Sequence, residues 1–138
     1  MPFRVSRTVE FADTDMAGIV HFSNFFRFME SAEHAYLRAC GLSVFGEWEG
    51  LKITFPRVHA TCDYLKPIRF QDVVEVTVRV ERIGRSSVPY AFEFFAGGEV
   101  IARGKITTVL CRVVEGRLEA FEVPEALRER LLAGPAGG

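Results

Sequence analysis

The sequence predicts an α+β domain in which one long helix is wrapped by a five-stranded antiparallel sheet. Three observations lead there. Apolar residues recur at helical spacing over one long stretch, from Phe22 to Cys40. Most of the remaining chain alternates apolar and polar residues with period two, the mark of strands with one buried face. The helical stripe is also unusually wide, because Phe22, Phe26 and Leu37 lie off its centre, and a helix apolar over most of its girth must be covered on most sides. The chain has 138 residues. That length fits one domain, here residues 1–132 with a flexible tail at 133–138, and such a domain buries roughly 68–70% of its unfolded surface.

Phe3, Val5, Val9 and Phe11 alternate with Arg4, Ser6, Thr8 and Glu10 to give the first strand. The alternation stops at Asp13, and Gly18 ends the irregular part. Phe25, Phe28, Met29, Ala32, Ala35, Tyr36 and Ala39 then share one helix face. Ser23 or Asn24 is expected to cap this helix, and Gly41 suits the left-handed position after it. Trp48 to Leu51 reads as a loop containing Gly46 and Gly50. Lys52 to Tyr64 reads as a strand interrupted at Pro56, which cannot donate to a ladder. Lys66-Pro67 and Gln71-Asp72 are turn-like. Val74, Val76, Val78 and Val80 form the cleanest strand, followed by a tight turn at Gly84 and a strand through Val88, Tyr90, Phe92 and Phe94. Gly97-Gly98 signals a hairpin. A long fifth strand runs from Val100 to Val114, and Glu115-Gly116 turns again. Pro124 suits the first turn of a short helix from Glu125 to Leu132. The order is strand, long helix, four strands in meander, short helix. Such a sheet leaves an edge that pairing between two chains would cover, so a homodimer is expected.

Composition narrows the function. A net charge of -1 supplies no field for nucleic acid or a membrane surface. No apolar run approaches the roughly 18 residues of a membrane span, and the start Met1-Pro2-Phe3-Arg4-Val5 has no apolar signal region. Cys40, Cys62 and Cys111 are odd in number and far apart, as expected of reduced thiols in a cytoplasmic protein. The sequence has no Gly-x-Ser-x-Gly elbow, no phosphate loop, and no His-x-x-x-His or Cys-x-x-Cys pair, so no resident metal is expected. Thirteen Phe among 138 residues leave rings for an apolar ligand tunnel or a dimer surface.

Phe11-Ala12-Asp13-Thr14-Asp15-Met16-Ala17-Gly18-Ile19-Val20-His21-Phe22, followed by Asn24-Phe25 and Glu30, resembles the signature of the 4-hydroxybenzoyl-CoA thioesterase family, of hot-dog fold. The run Asp63-Tyr64-Leu65-Lys66-Pro67-Ile68-Arg69-Phe70-Gln71-Asp72 resembles that family too, and the likeness spans residues 3 to 123. It implies a helix wrapped by an antiparallel sheet, dimers with active sites at the subunit interface, and hydrolysis of acyl-CoA thioesters in which coenzyme A is part of the substrate and no cofactor is needed. A homodimer at least is expected, with a tetramer built as a dimer of dimers the leading assembly and the dimer alone its alternative.

The resemblance makes Asp15 the attacking carboxylate or the general base, against the alternative that Asp13 and Asp15 only shape a turn. It places the oxyanion donor at the backbone N–H of Phe22, where a helix start leaves donors free. Gly18 would let the chain approach the thioester closely. Relatives commonly carry a histidine at the position of Phe22; here it stands one residue earlier, so His21 is expected at the pocket mouth or half-exposed at the helix start. His34 is expected on the polar side of the helix. His59 lies on the strand that the resemblance brings near the site. Glu30 matches an acid that contacts the phenolic end of the acyl group, the alternative being an ion pair with Arg27 or His34. Arg82, Arg85, Ser86 and Ser87 form a turn that would hold the pantetheine or nucleotide end of coenzyme A, with Arg57, Lys66 and Arg69 as weaker candidates. An aromatic acyl group is the leading expectation. A short or medium aliphatic chain, a 3-hydroxyacyl dehydratase and a non-catalytic acyl-CoA binder are the alternatives.

Overall fold

The computed structural model describes residues 2–135. The chain runs β1 (Phe3–Thr8), a 3₁₀ turn (Phe11–Asp13), α1 (Phe22–Ala39), β2 (Phe45–Trp48), β3 (Leu51–Thr54), β4 (Arg57–Tyr64), β5 (Val73–Val80), β6 (Ser87–Ala96), β7 (Glu99–Val109), β8 (Cys111–Val114), β9 (Arg117–Ala120) and α2 (Glu125–Ala133). Five strands form one antiparallel sheet in the order β1-β5-β6-β7-β4. The apolar stripe of α1, including Phe25, Phe28, Met29, Ala32 and Leu37, is buried in one core with Val74, Val76, Val78, Phe92, Phe94 and Ile106 of the sheet. This is the hot-dog arrangement. Close approach of helix and sheet depends on Gly104 of β7: a Cβ there would strike Met29 Sδ and lie 3.0 Å from the Thr61 carbonyl.

The five strands are not a simple meander. Only β5, β6 and β7 follow one another, while β4 joins the far side of β7 and β1 pairs with β5. Alternation identifies a strand but not its neighbours, which packing on α1 decides. A second sheet, β2-β3-β8-β9, was not expected. The predicted loop at Trp48–Leu51 is the tip of the β2–β3 hairpin, with Glu49 at φ 50° and Gly50 at φ 83°. The same pair of positive angles closes β6–β7 at Gly97-Gly98 and β8–β9 at Glu115-Gly116, as the twist of two-residue hairpins requires. The predicted fifth strand breaks at Leu110, whose N–H donates to the Ser86 carbonyl. Pro56 ends β3 before β4, and the register of β4 shifts between Arg57 and His59. Pro124 is the N-cap of α2 rather than part of its first turn. Ala133 is the last residue of α2; residues 136–138 of the expected tail lie outside the described part. Among the described residues no helix is long and apolar enough to cross a membrane.

Candidate active site

The loop between the 3₁₀ turn and α1 is built by its polar side chains. Asp13 is buried, and its Oδ2 accepts from the Glu10 N–H at 2.8 Å, while its carbonyl takes both the His21 N–H and the Asn24 side-chain amide. Asp13 therefore shapes the turn. Asp15 Oδ1 accepts from the Ala17 N–H at 2.8 Å, and the Asp15 carbonyl accepts from Gly18 N–H. Gly18 sits at φ 80° with open space where a Cβ would be, so the position needs a glycine backbone and leaves that side clear. Val20 N–H donates to the Ile68 carbonyl, fastening the loop to the segment between β4 and β5.

The helix start differs from expectation in its cap. His21 is the N-cap: its Nδ1 accepts from the Ser23 N–H at 3.3 Å and lies 2.8 Å from Ser23 Oγ. Ser23 is thus a partner of the cap. Asn24 instead ties α1 to the Asp13 carbonyl at 2.8 Å. Among the described residues the Phe22 N–H finds no acceptor, in the first turn where the helix dipole is positive.

Asp15 and Phe22 meet on one cleft of about 550 Å³, walled by Ile19, Val20, Phe25, Tyr64, Leu65, Lys66, Pro67 and Ile68 as well. The wall is predominantly apolar, with Asp15 and Lys66 as its charged members. Lys66 Nζ is paired with Glu99 at 2.6 Å. Of the wall from Phe25 and Tyr64 to Ile68, the sequence singled out only Lys66, as a weaker candidate for coenzyme A; the available signal for the rest was the run Asp63–Asp72, which carried the resemblance.

Within one chain the other candidates stand apart from this cleft. Glu30 lies eight residues beyond Phe22, about 12 Å along α1. It is exposed, its Oε2 is 3.7 Å from Arg57, and it borders a polar hollow with Arg7, Arg27, Ser31, His34 and Arg38. Of the two readings of Glu30, the ion-pair alternative takes a different partner, Arg57 from β4 in place of Arg27 or His34. His59 is exposed on β4, about 17 Å along the strand from Tyr64. The turn carrying Arg82, Arg85, Ser86 and Ser87 lies at the far end of β5, about 26 Å from the end that borders the cleft. Its backbone is held by Arg128 of α2, which donates to the carbonyls of Ile83 and Gly84.

A second polar cluster was missed. Glu33 is fully buried in α1 and bonds Arg57 through Oε1, while its Oε2 and the Tyr90 hydroxyl are buried without partners. Burial pushes the Glu33 carboxyl up to about 7, outweighing the attraction of Arg57. Arg57 also approaches His34 Nε2 at 3.1 Å, and His34 is held below its ordinary range, first by burial and then by Arg57.

The model of the thioesterase-like superfamily matches residues 9–131 of this chain. The chain belongs to that superfamily. As a family member it is a thioester hydrolase, and its fold and opening motif agree with that standing. A protein of Aquifex aeolicus, provisionally named an esterase, is 34% identical over 94% of this chain and the whole of its own length. The 1,4-dihydroxy-2-naphthoyl-CoA hydrolase of Nostoc punctiforme is 29% identical, over 92% of this chain and 84% of its own. A solved gentisyl-coenzyme A thioesterase superposes with a TM-score of 0.81 at 29% identity, covering 94% of this chain and 99% of its own. The thioesterase family thus accounts for nearly all of the chain, including the cleft.

Proposed function

We propose that this thioesterase hydrolyses a small aromatic acyl-CoA in the cleft beside Asp15. The observation that carries the reading is the meeting of a carboxylate, Asp15, and a free helix-start N–H, Phe22, on one apolar cleft. In the direct route an Asp15 oxygen bonds to the thioester carbonyl carbon. The C–S bond breaks, the coenzyme A thiolate leaves and takes a proton from water, and water then hydrolyses the mixed anhydride. In the base route Asp15 takes a proton from water, the resulting hydroxide bonds to the carbonyl carbon, the C–S bond breaks, and the leaving thiolate takes the proton from Asp15. Both routes build negative charge on the carbonyl oxygen, where the Phe22 N–H would donate; such a donor is typically worth about 10²–10³ in turnover. Gly18 leaves the approach open.

The aromatic choice is supported by the rings of Phe22, Phe25 and Tyr64 on the wall, and by relatives named for hydroxylated aromatic acyl groups. The remaining candidates join the site through a homodimer. Strand β4 is a sheet edge, and most of its residues are exposed although the strand is eight residues long. Antiparallel pairing of two β4 edges would set the Arg57 end of one chain beside the Tyr64 end of the other. Glu30, His59 and the turn of Arg82, Arg85, Ser86 and Ser87 would then approach the partner's cleft. Pairs of dimers would form the tetramer, in the cytoplasm.

The Asp15→Asn variant tests the chemistry. It should stay folded and lose about 10³ or more in turnover of benzoyl-CoA or hydroxybenzoyl-CoA, as expected when a nucleophile or base is removed. Near-normal turnover would refute the assignment. Single-turnover hydrolysis in ¹⁸O-water separates the routes: label in Asp15 marks direct attack, and label in the product acid alone marks the base route.

A further inference from the structure

Tyr64 is the last residue of β4, and its side chain spans from that edge strand to the start of α1. Its hydroxyl donates to the Phe22 carbonyl at 3.1 Å. Its ring stands edge-on to Phe25, with centroids 4.9 Å apart and planes at 82°. Phe25 is buried and rests in turn on Phe94 of β6 at 5.4 Å. Three rings therefore run from the sheet core to the cleft, and the outermost is tethered at its tip to the residue proposed to supply the oxyanion donor. Tyr64 nevertheless remains 45% exposed, on the wall it shares with Asp15. Such a ring cannot swing away without breaking its hydrogen bond, and Phe25 behind it prevents collapse. The rest of the wall is equally fixed, because Val20 is bonded to Ile68 and Ile19 is bridged to Arg69.

We propose that Tyr64 determines acyl specificity: its tethered ring makes one side of a rigid slot that accepts a flat aromatic acyl group and gives a flexible aliphatic chain little advantage. A planar ring loses no internal freedom on entering such a slot and gains a stacked or edge-on contact, whereas an alkyl chain must freeze its torsions. The hydroxyl acts through the ring as a positioning group; the ring itself touches the substrate. This inference rests on the cleft being the acyl-CoA site.

The experiment measures binding without turnover, by calorimetry with benzoyl-CoA and hexanoyl-CoA in the Asp15→Asn protein. Adding Tyr64→Leu should weaken benzoyl-CoA about tenfold, the equivalent of one well-made aromatic contact, and leave hexanoyl-CoA within about twofold. Adding Tyr64→Phe, which keeps the ring and removes only its tether, should give a smaller loss confined to benzoyl-CoA. In the enzyme with Asp15 intact, Tyr64→Phe should raise KM for benzoyl-CoA more than it lowers kcat. Equal losses for both thioesters, or no loss for either, would overturn the inference and leave the function standing. If Asp15→Asn with native Tyr64 binds neither thioester, the cleft is not the acyl-CoA site and the inference falls with that reading.

Discussion

His21 stands beside the proposed reaction centre, yet its Nδ1 is turned to Ser23 and caps α1. A caps-only role predicts that His21→Ala costs about 1 kcal/mol of stability in chemical unfolding. Turnover should change only a few-fold, whereas loss of a general base would cost about 10²–10⁴. Glu33 offers a second residue-scale prediction. Its carboxyl is raised from 4.5 to about 7 by burial, so the folded chain holds that proton more tightly than the unfolded one. The resulting stabilisation is fully present below pH 4.5 and is lost as pH rises through about 7. Unfolding free energy relative to Glu33→Gln should therefore fall by about 3 kcal/mol across that window. A flat difference would show that Glu33 is ionised throughout. Asp13 and Asp15 were legible as a turn-plus-carboxylate pair because each carboxylate accepts from a backbone N–H two or three residues away. Glu33 was not: it shares the α1 stripe with Met29 and Tyr36, but its partner Arg57 lies 24 positions away.

At the scale of elements, α1 was readable from its spacing and β5 from its valines, because each pattern persists for several turns or pleats. The second sheet was not, since β2, β3, β8 and β9 have four residues each, too few for periodicity to separate a strand from a loop. The break at Leu110 is hidden for another reason. Leu110 is itself buried and continues the apolar alternation while the backbone leaves one sheet for the other. The contact of α1 with β7 makes a prediction of its own. Gly104→Val places a side chain against Met29 and the Thr61 carbonyl, and should destabilise the fold by about 1–3 kcal/mol, read as a lower denaturation midpoint. An unchanged midpoint would mean that Met29 repacks freely.

For the whole molecule, the decisive element is β4. Val58, His59, Ala60, Thr61, Asp63 and Tyr64 are all exposed in the single chain, on both faces of the strand. In the proposed homodimer the two β4 edges pair, and each cleft is completed by the partner. Sedimentation should then show a dimer or a dimer of dimers. Val58→Asp combined with Ala60→Asp should produce monomers that keep native secondary structure and lose activity, because like charges would face one another across the twofold. Fully active monomers would show that one chain holds a complete site.

The sequence by itself determined the parts whose causes are local: the wrapped helix, the main strands, the hairpin turns at Gly97-Gly98 and Glu115-Gly116, and the loop bearing Asp15. Neighbouring residues set those features through spacing, backbone angles and short-range hydrogen bonds. The tertiary structure alone decided the strand order, the second sheet, the burial of Glu33 against Arg57, and the joining of Tyr64 to the start of α1. These depend on contacts between residues far apart in the chain, and Tyr64 and Phe22 meet across 42 positions. Alternation and charge in one segment carry no record of which distant segment will lie beside it.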